Sequence, residues 1–306
     1  MIQLKEIIKE IEGIHLIGNK EEYVDKLIKL TTDNSDPHAI LWINKTNNHL
    51  IREIKSGTII CEPFDETFAN SDCNYLVCNN PRIIFQKILV RYFYEKPQPS
   101  IAGTAIINRS VVLGKNVYIG ENVVIENGVS IGNNCSIGHN SVIKENTIIK
   151  NDVVIGCNCV IGNVGFGYEK NEDGQYQFIP HIGNVIIDDK VEIGNCTVID
   201  KGVLGSTHIK ENVKIDNLVH IAHGVIIEQN ALIIANTMLG GSVTIGKNSW
   251  IAPSVTIKDN LLIGEDVTVG IGAVITKNIP NKETWVGNPG KELTKFIETN
   301  DKIKNL

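Results

Sequence analysis

The stretch "VVLGKNVYIGENVVIENGVSIGNNCSIGHNSVIKENTIIKNDVVIG", residues 111–156, places a large aliphatic side chain at every sixth position: Leu113, Ile119, Ile125, Ile131, Ile137, Ile143, Ile149 and Ile155. A period of six fits neither the 3.6 of an α-helix nor the two of a single strand. It is the mark of a hexapeptide parallel β-helix. Three residues after the aliphatic stands Asn116, Asn122, Gly128, Asn134, Asn140, Asn146 or Asp152, all types that tolerate a left-handed backbone at a tight corner. The next residue is Val117, Val123, Val129, Cys135, Ser141, Thr147 or Val153, small enough to fill a narrow interior. Each hexapeptide thus supplies one short strand and one corner, and three of them close a triangular coil.

Outward from this stretch the period runs back to Ile101 and on to Ile161, resumes at Ile187, and slips once at "GSTH" (205–208). It then continues from Ile209 to Ile275. Roughly eight or nine coils follow, each burying its aliphatic stack against its neighbours. The expected fold is mainly β, a parallel β-helix over 101–280. One large break, "NVGFGYEKNEDGQYQFIPHIGN" (163–184), is polar, Gly-rich and aromatic, and reads as a loop projecting from one edge. Ahead of the repeats, residues 1–95 mix helical periodicity ("LKEIIKEI", "PRIIFQKILVRYFYE") with short apolar runs of strand length ("HAILWI", "GTIIC", "NYLVC"), a small α/β domain. "KPQPS" (96–100) reads as a linker, and 281–306 as a tail with a short helix.

Hydrophobic residues make up 42% of the chain and charged residues 21%, the balance of an ordinary globular protein. The net charge is -6 with no block of like charge, which argues against a nucleic-acid footprint. No apolar run reaches the ~20 residues of a membrane span. The start, "MIQLKEIIKEIEG", is charged throughout and lacks a signal-peptide core, so a cytoplasmic location is expected. The seven cysteines are odd in number and lack zinc-ligand spacing; they read as buried thiols in a reducing compartment, and no metal is expected.

Against this framework "KIDNLVHIAHGVIIEQN" (214–230) carries two imidazoles, His220 and His223. His223 takes the third place of the hexapeptide starting at Ile221, just before the corner, where side chains point away from the interior. One coil onward stands Gly241, within "LGGSV" (239–243), where small residues leave a groove. A neutral imidazole near pH 7 suits removal of a proton. A metal site is a rival reading, but its third histidine is hard to place: His208 is not a coil multiple from His220. A purely structural β-helix is another, and it leaves the N-terminal domain and the excursion loop without a purpose. His208 and His181 read as surface loop residues. Asp200 and Asp216 follow core aliphatics and should point outward.

Several motifs in order, "GFGY" leading to "IPHIG", then "VEIGNCTVIDKGVL" and "KIDNLVHIAHG", resemble the UDP-3-O-acylglucosamine N-acyltransferases, left-handed β-helix enzymes. The resemblance implies a homotrimer with active sites between subunits, a nucleotide-sugar-binding N-terminal domain, and His223 as the general base. It places the base-reading Asn at Asn44; the flanking aromatics of the family fall at Leu41 and Asn47, with Trp42 as a neighbouring ring. A second family histidine falls at Asn260. His220 stands where the family has Gln and is assigned to the acceptor's sugar or phosphate, His181 to the sugar, and Phe166 and Tyr168 to covering the sugar or the acyl chain. Asp200 or Asp216 orients the base or the amino sugar, or is a solvated repeat carboxylate. "ETWVGNPGK" (283–291) instead resembles the end of acyl-CoA-dependent sugar acetyltransferases. The implied donor groove is Gly240, Gly241 and Ser242, with Lys291 meeting a phosphate of coenzyme A. The expectation is an N-acyltransferase acting on a nucleotide-linked amino sugar. Its donor is a thioester, acyl-CoA favoured over acyl carrier protein, a co-substrate and not a resident cofactor. The alternative is the carrier-protein-dependent UDP-3-O-acylglucosamine enzyme.

Overall fold

In the computed structural model, which describes residues 1–304, the chain divides into two compact units, Met1–Lys96 and the part from Pro97 onward. The first unit is built on a five-stranded sheet. Its order is His15–Ile17, Cys73–Val77, Gly57–Cys61, Ala39–Trp42 and Lys26–Leu27; only the first pair is antiparallel. The central strands are continuous apolar runs because both faces are covered. Ile40, Ile60 and Leu76 pack with Leu4 and Ile7 of helix Leu4–Glu10 and with Ile84 and Ile88 of helix Pro81–Ile88. The alternate residues Leu41, Ile59 and Tyr75 face a second cluster with Ile43 and Ile51. Helix Pro81–Ile88 starts where it does because Asn80 Oδ1 accepts from the Ile83 amide at 3.2 Å and Pro81 has no amide to satisfy.

From Ser100 onward two-residue strands stack into three parallel sheets, the walls of a triangular β-helix. The register is that of the repeat. On the first wall Ile119 lies opposite Ile101 and Ile137, and Ile137 opposite Ile155. On the second, Ile125 lies between Ile107 and Ile143, and on the third, Ile131 between Leu113 and Ile149. Apart from Ile101, which is 53% exposed, these aliphatics belong to one continuous core. Burying each Ile is worth about 1.5–3 kcal/mol against leaving it exposed.

The corners carry more than a permissive backbone. Asn116, Asn134 and Asp152 all hold φ near 57°, and their side chains stack into a ladder. Asn116 donates to Asn134 at 3.2 Å, and Asn134 donates to Asp152 at 3.1 Å. A second ladder links Asn212, Asn230, Asn248 and Asp266. Asn is preferred over Gly at these corners because it adds an inter-coil hydrogen bond at little cost in the left-handed region.

The excursion departs from a plain loop. Tyr168–Lys170 and Tyr176–Phe178 pair as an antiparallel hairpin, with Gly174 at φ 77° in its turn. Each strand is only three residues long, too short for an alternating pattern to mark it, although Asp173-Gly174 in the connection is a hairpin-turn dipeptide. At the other end, Thr284–Val286 continues the first wall and pairs antiparallel with Lys291–Glu292, and helix Leu293–Lys304 follows. The last two residues of the expected tail, 305 and 306, lie outside the described residues. Among the described residues no helix is long and apolar enough to cross a membrane.

Candidate functional site

The second wall positions the site. On it the strands Val160–Asn163, Val198–Asp200, His220–Ile221, Met238–Leu239 and Thr256–Ile257 stack in that order. The buried aliphatic of each coil therefore delivers the residues after it to the same corner. Asp200, Ala222 with His223, Gly241 with Ser242, and Asp259 with Asn260 line one cavity of about 350 Å³ there, with His220 on the strand and Phe166 from the excursion. The 18-residue coil that relates His223 to Gly241 relates Gly241 to Asp259 in turn; Asp259 was not singled out in the sequence, although the same spacing reaches it.

Gly241 is at this corner because nothing larger fits. A Cβ there would stand 2.7 Å from His223 Cε1 and 2.8 Å from Nε2. The glycine is thus the wall against which the imidazole rests. Gly165 approaches the other side of the ring, where a Cβ would be 3.2 Å from Cδ2. Gly165 belongs to the aperiodic excursion, so no spacing argument reaches it.

Asp200 corrects an expectation. It does not point into solvent; it is buried at 3% exposure in the cavity wall. Its Oδ1 accepts from Asn163 Nδ2 at 3.3 Å, and its Oδ2 is 3.7 Å from His220 Nε2. Burial pushes its carboxyl above the ordinary 3.8, opposed by His220, Asn163, His223 and His181. Because the folded state raises this pKa, the group's contribution to stability is present below 3.8 and is lost as pH rises through the folded value. Asp200→Asn is therefore expected to unfold at a higher temperature than the parent at pH 7, with the gap closing as pH falls toward 4; equal melting temperatures at pH 7 would refute this.

His181 is a second correction: it is buried, at 4% exposure, and not a surface residue. Its ring meets that of His223 edge-on with centroids 5.2 Å apart. The excursion is pinned by a run of rings, Phe166 to Tyr168 at 4.9 Å, Tyr168 to Phe178 at 5.6 Å and Phe178 to His181 at 6.1 Å. Phe166 leaves most of its ring exposed at the cavity mouth. His208 lies in strand Ser206–Ile209 on the third wall and bonds Asp188 at 3.1 Å, apart from the other histidines.

Of the other candidates on the β-helix, Ser242 lines this cavity and Asp216 does not. Asp216 stands on the first wall, at a different corner from His223, where it accepts from Asn217 and from the Ala235 amide. Lys201 is buried and donates to Glu145 at 2.6 Å, and this bond, helped by Glu126, holds the Glu145 carboxyl down at about 2. Gly240 sits against the Asp259 amide, and Ser242 takes the left-handed corner beside it. Lys291 is an exposed residue of the last strand. In the N-terminal unit, Asn44 Oδ1 accepts from the Asn47 amide at 3.0 Å, and Trp42 is half-buried with Phe85 at 6.0 Å.

Residues 110–145 and 128–163 match the family described as bacterial transferase hexapeptide (six repeats). Over 129 residues the chain is 38% identical to the UDP-3-O-acylglucosamine N-acyltransferase of Campylobacter lari, covering 42% of this chain and 40% of that one. Over 146 residues it is 34% identical to the enzyme of the same name from Helicobacter hepaticus, covering 48% of this chain and 45% of that one. The chain thus spans under half the length of these curated relatives. A solved UDP-N-acetylglucosamine acyltransferase from Bacteroides fragilis superposes with a TM-score of 0.57 at 25% identity, over 63% of this chain and 73% of that one. The fold is the left-handed parallel β-helix, built of transferase hexapeptides, with UDP-sugar acyltransferases among its relatives and structural neighbours.

Proposed function

We propose that this chain transfers an acyl group from a thioester donor to the amino group of a UDP-linked, 3-O-acylated glucosamine, with His223 as general base. The observation that carries the reading is His223 held between Gly241 and Gly165 in the corner cavity. As the amine nitrogen attacks the thioester carbonyl, a ring nitrogen of His223 takes the amine proton. The C–S bond then breaks and the proton passes to the leaving thiolate, which returns the imidazole to its neutral form. His220, exposed at the cavity edge, binds the sugar or its phosphate.

The acceptor follows the names of the curated relatives, which support the reading held as the alternative above over a broader amino-sugar acceptor. Those names do not specify the donor; acyl-CoA and acyl carrier protein present the same thioester on the same slender arm, and the groove at Gly240, Gly241 and Ser242 suits both. In the N-terminal unit Asn44 is assigned to the uracil: with its Oδ1 engaged by the Asn47 amide, its Nδ2 is the group offered to a base carbonyl. The assembly is proposed as a homotrimer, as the resemblance implies.

One experiment tests the whole reading. The purified protein is sized by light scattering and assayed by mass spectrometry with UDP-3-O-acylglucosamine or a dTDP-linked amino sugar, each with acyl-CoA and with acyl carrier protein. A trimer that acylates the UDP acceptor is expected. A monomer at micromolar concentration overturns the assembly; transfer confined to the dTDP sugar, or none with either donor, overturns the reaction.

A further inference from the structure

The excursion loop builds a tight seat for one side chain. His181 is buried while its neighbour Ile182 is exposed at 75%. Both glycines of "GFG" press on its ring. A Cβ at Gly165 would stand 2.8 Å from His181 Nε2, and one at Gly167 would stand 2.9 Å from its Cε1. Phe178 stacks on the ring, with planes 13° apart. His181 Nδ1 lies 2.9 Å from the Ile179 carbonyl oxygen. A carbonyl only accepts, so Nδ1 carries the proton. Among the described residues Nε2 has no partner, and it is shielded from solvent. A protonated ring would bury an unpaired N–H there, so the seat selects the neutral form with a lone pair on Nε2. That lone pair is the negative end of the imidazole dipole and lies beside His223: a Cβ at Gly165, 2.8 Å from Nε2, would also stand 3.2 Å from His223 Cδ2, and the two ring planes cross at 77° with centroids 5.2 Å apart.

We infer that His181 is a positioning residue for His223: its Nε2 lone pair, fixed by the loop, stabilises the positive charge that forms on His223 as the amine proton arrives. The N–H bond of the amine breaks and its electron pair stays on nitrogen as the C–N bond forms. The proton resides on His223 until the thiolate takes it, and His181 neither gains nor loses a proton. The other ionisable groups around His223 are Asp200, His220 and Asp259. Asp200 lies against the whole cluster, whereas His181 places its Nε2 beside one ring, that of His223. Such preorganised dipoles act where charge develops and cost no reorganisation during the reaction.

The inference deepens the proposed acyl transfer, and its two tests separate its failure from the failure of that reaction. The first needs no substrate. In the long-range 1H–15N spectrum of the histidine-labelled protein, His181, identified by the signal that disappears in His181→Asn, is expected as the neutral Nδ1-protonated tautomer. An Nε2-protonated or doubly protonated ring overturns the inference, whether or not the enzyme turns over. The second is kinetic. His181→Asn keeps an amide donor toward Ile179 but places nothing at Nε2. It is expected to lose about tenfold in kcat with the acceptor KM unchanged, near the lower end of what a hydrogen bond to a charged group is worth. His181→Gln, which returns an amide oxygen near the Nε2 position, is expected to recover most of the loss. Parental kcat in the Asn variant, a loss carried by KM, or no recovery in the Gln variant overturns it. If the Asn variant fails to fold, the tautomer in the parent protein and the kcat of His181→Gln against His181→Phe decide.

Discussion

Replacing His223 with alanine is expected to lower kcat by about 10²–10⁴-fold, the usual contribution of a general base. The acceptor KM is expected to change little, because the ring engages the amine proton chiefly in the transition state. The substitution removes a side chain from a cavity wall and leaves the aliphatic stack intact, since the neighbouring Ile221 remains fully buried in the core. A trimer with an unchanged melting profile is therefore expected alongside the lost turnover. His220→Ala serves as the contrast. Its ring is half-exposed on the strand and is assigned to binding, so its effect is expected on KM. If His223→Ala keeps most of its kcat while His220→Ala loses it, the base is the other imidazole.

The second large effect is expected at Gly241. Adding one methyl group there places a carbon 2.7 Å from His223 Cε1, a separation that requires something to move. The corner backbone is held on both sides by inter-coil bonds, Ser242 N to His223 O at 2.9 Å and Asn260 N to Gly241 O at 2.8 Å. The imidazole is the softer partner, so the ring turns away from its resting place. A displacement of about 1 Å at a reacting group costs on the order of 10² in rate, and Gly241→Ala is expected to lose about that much kcat. Gly103→Ala, where the new carbon meets nothing within 4 Å, is the control and is expected to behave as the parent. A Gly241→Ala enzyme with full kcat would show that His223 does not depend on its glycine wall.

How much of the site the sequence carried follows from its period. The repeat makes distance along the chain a proxy for distance in space. Eighteen residues return to the same corner, so His223 and Gly241 are neighbours by counting alone, and the structure places them in contact. The same rule reaches Asp259. The fold itself was determined in this way: apolar residues six apart, each followed by a residue tolerant of the left-handed region, admit few solutions other than stacked coils. What the chain did not disclose lies where the period is broken. His181 and Gly165 belong to the excursion, and nothing in its composition says where an aperiodic segment folds back. Only the packing of Phe178 and the two glycines around His181 brings that ring to His223. Asp200 shows the other limit. Its position in the hexapeptide is outward in every regular coil, yet here the coil is lengthened between Val198 and His220 and the excursion enters on the same wall. Asn163 and the histidines close over the carboxylate and bury it. Periodicity determines where a side chain starts; burial depends on what the irregular segments lay on top of it, and that is a property of the tertiary fold alone.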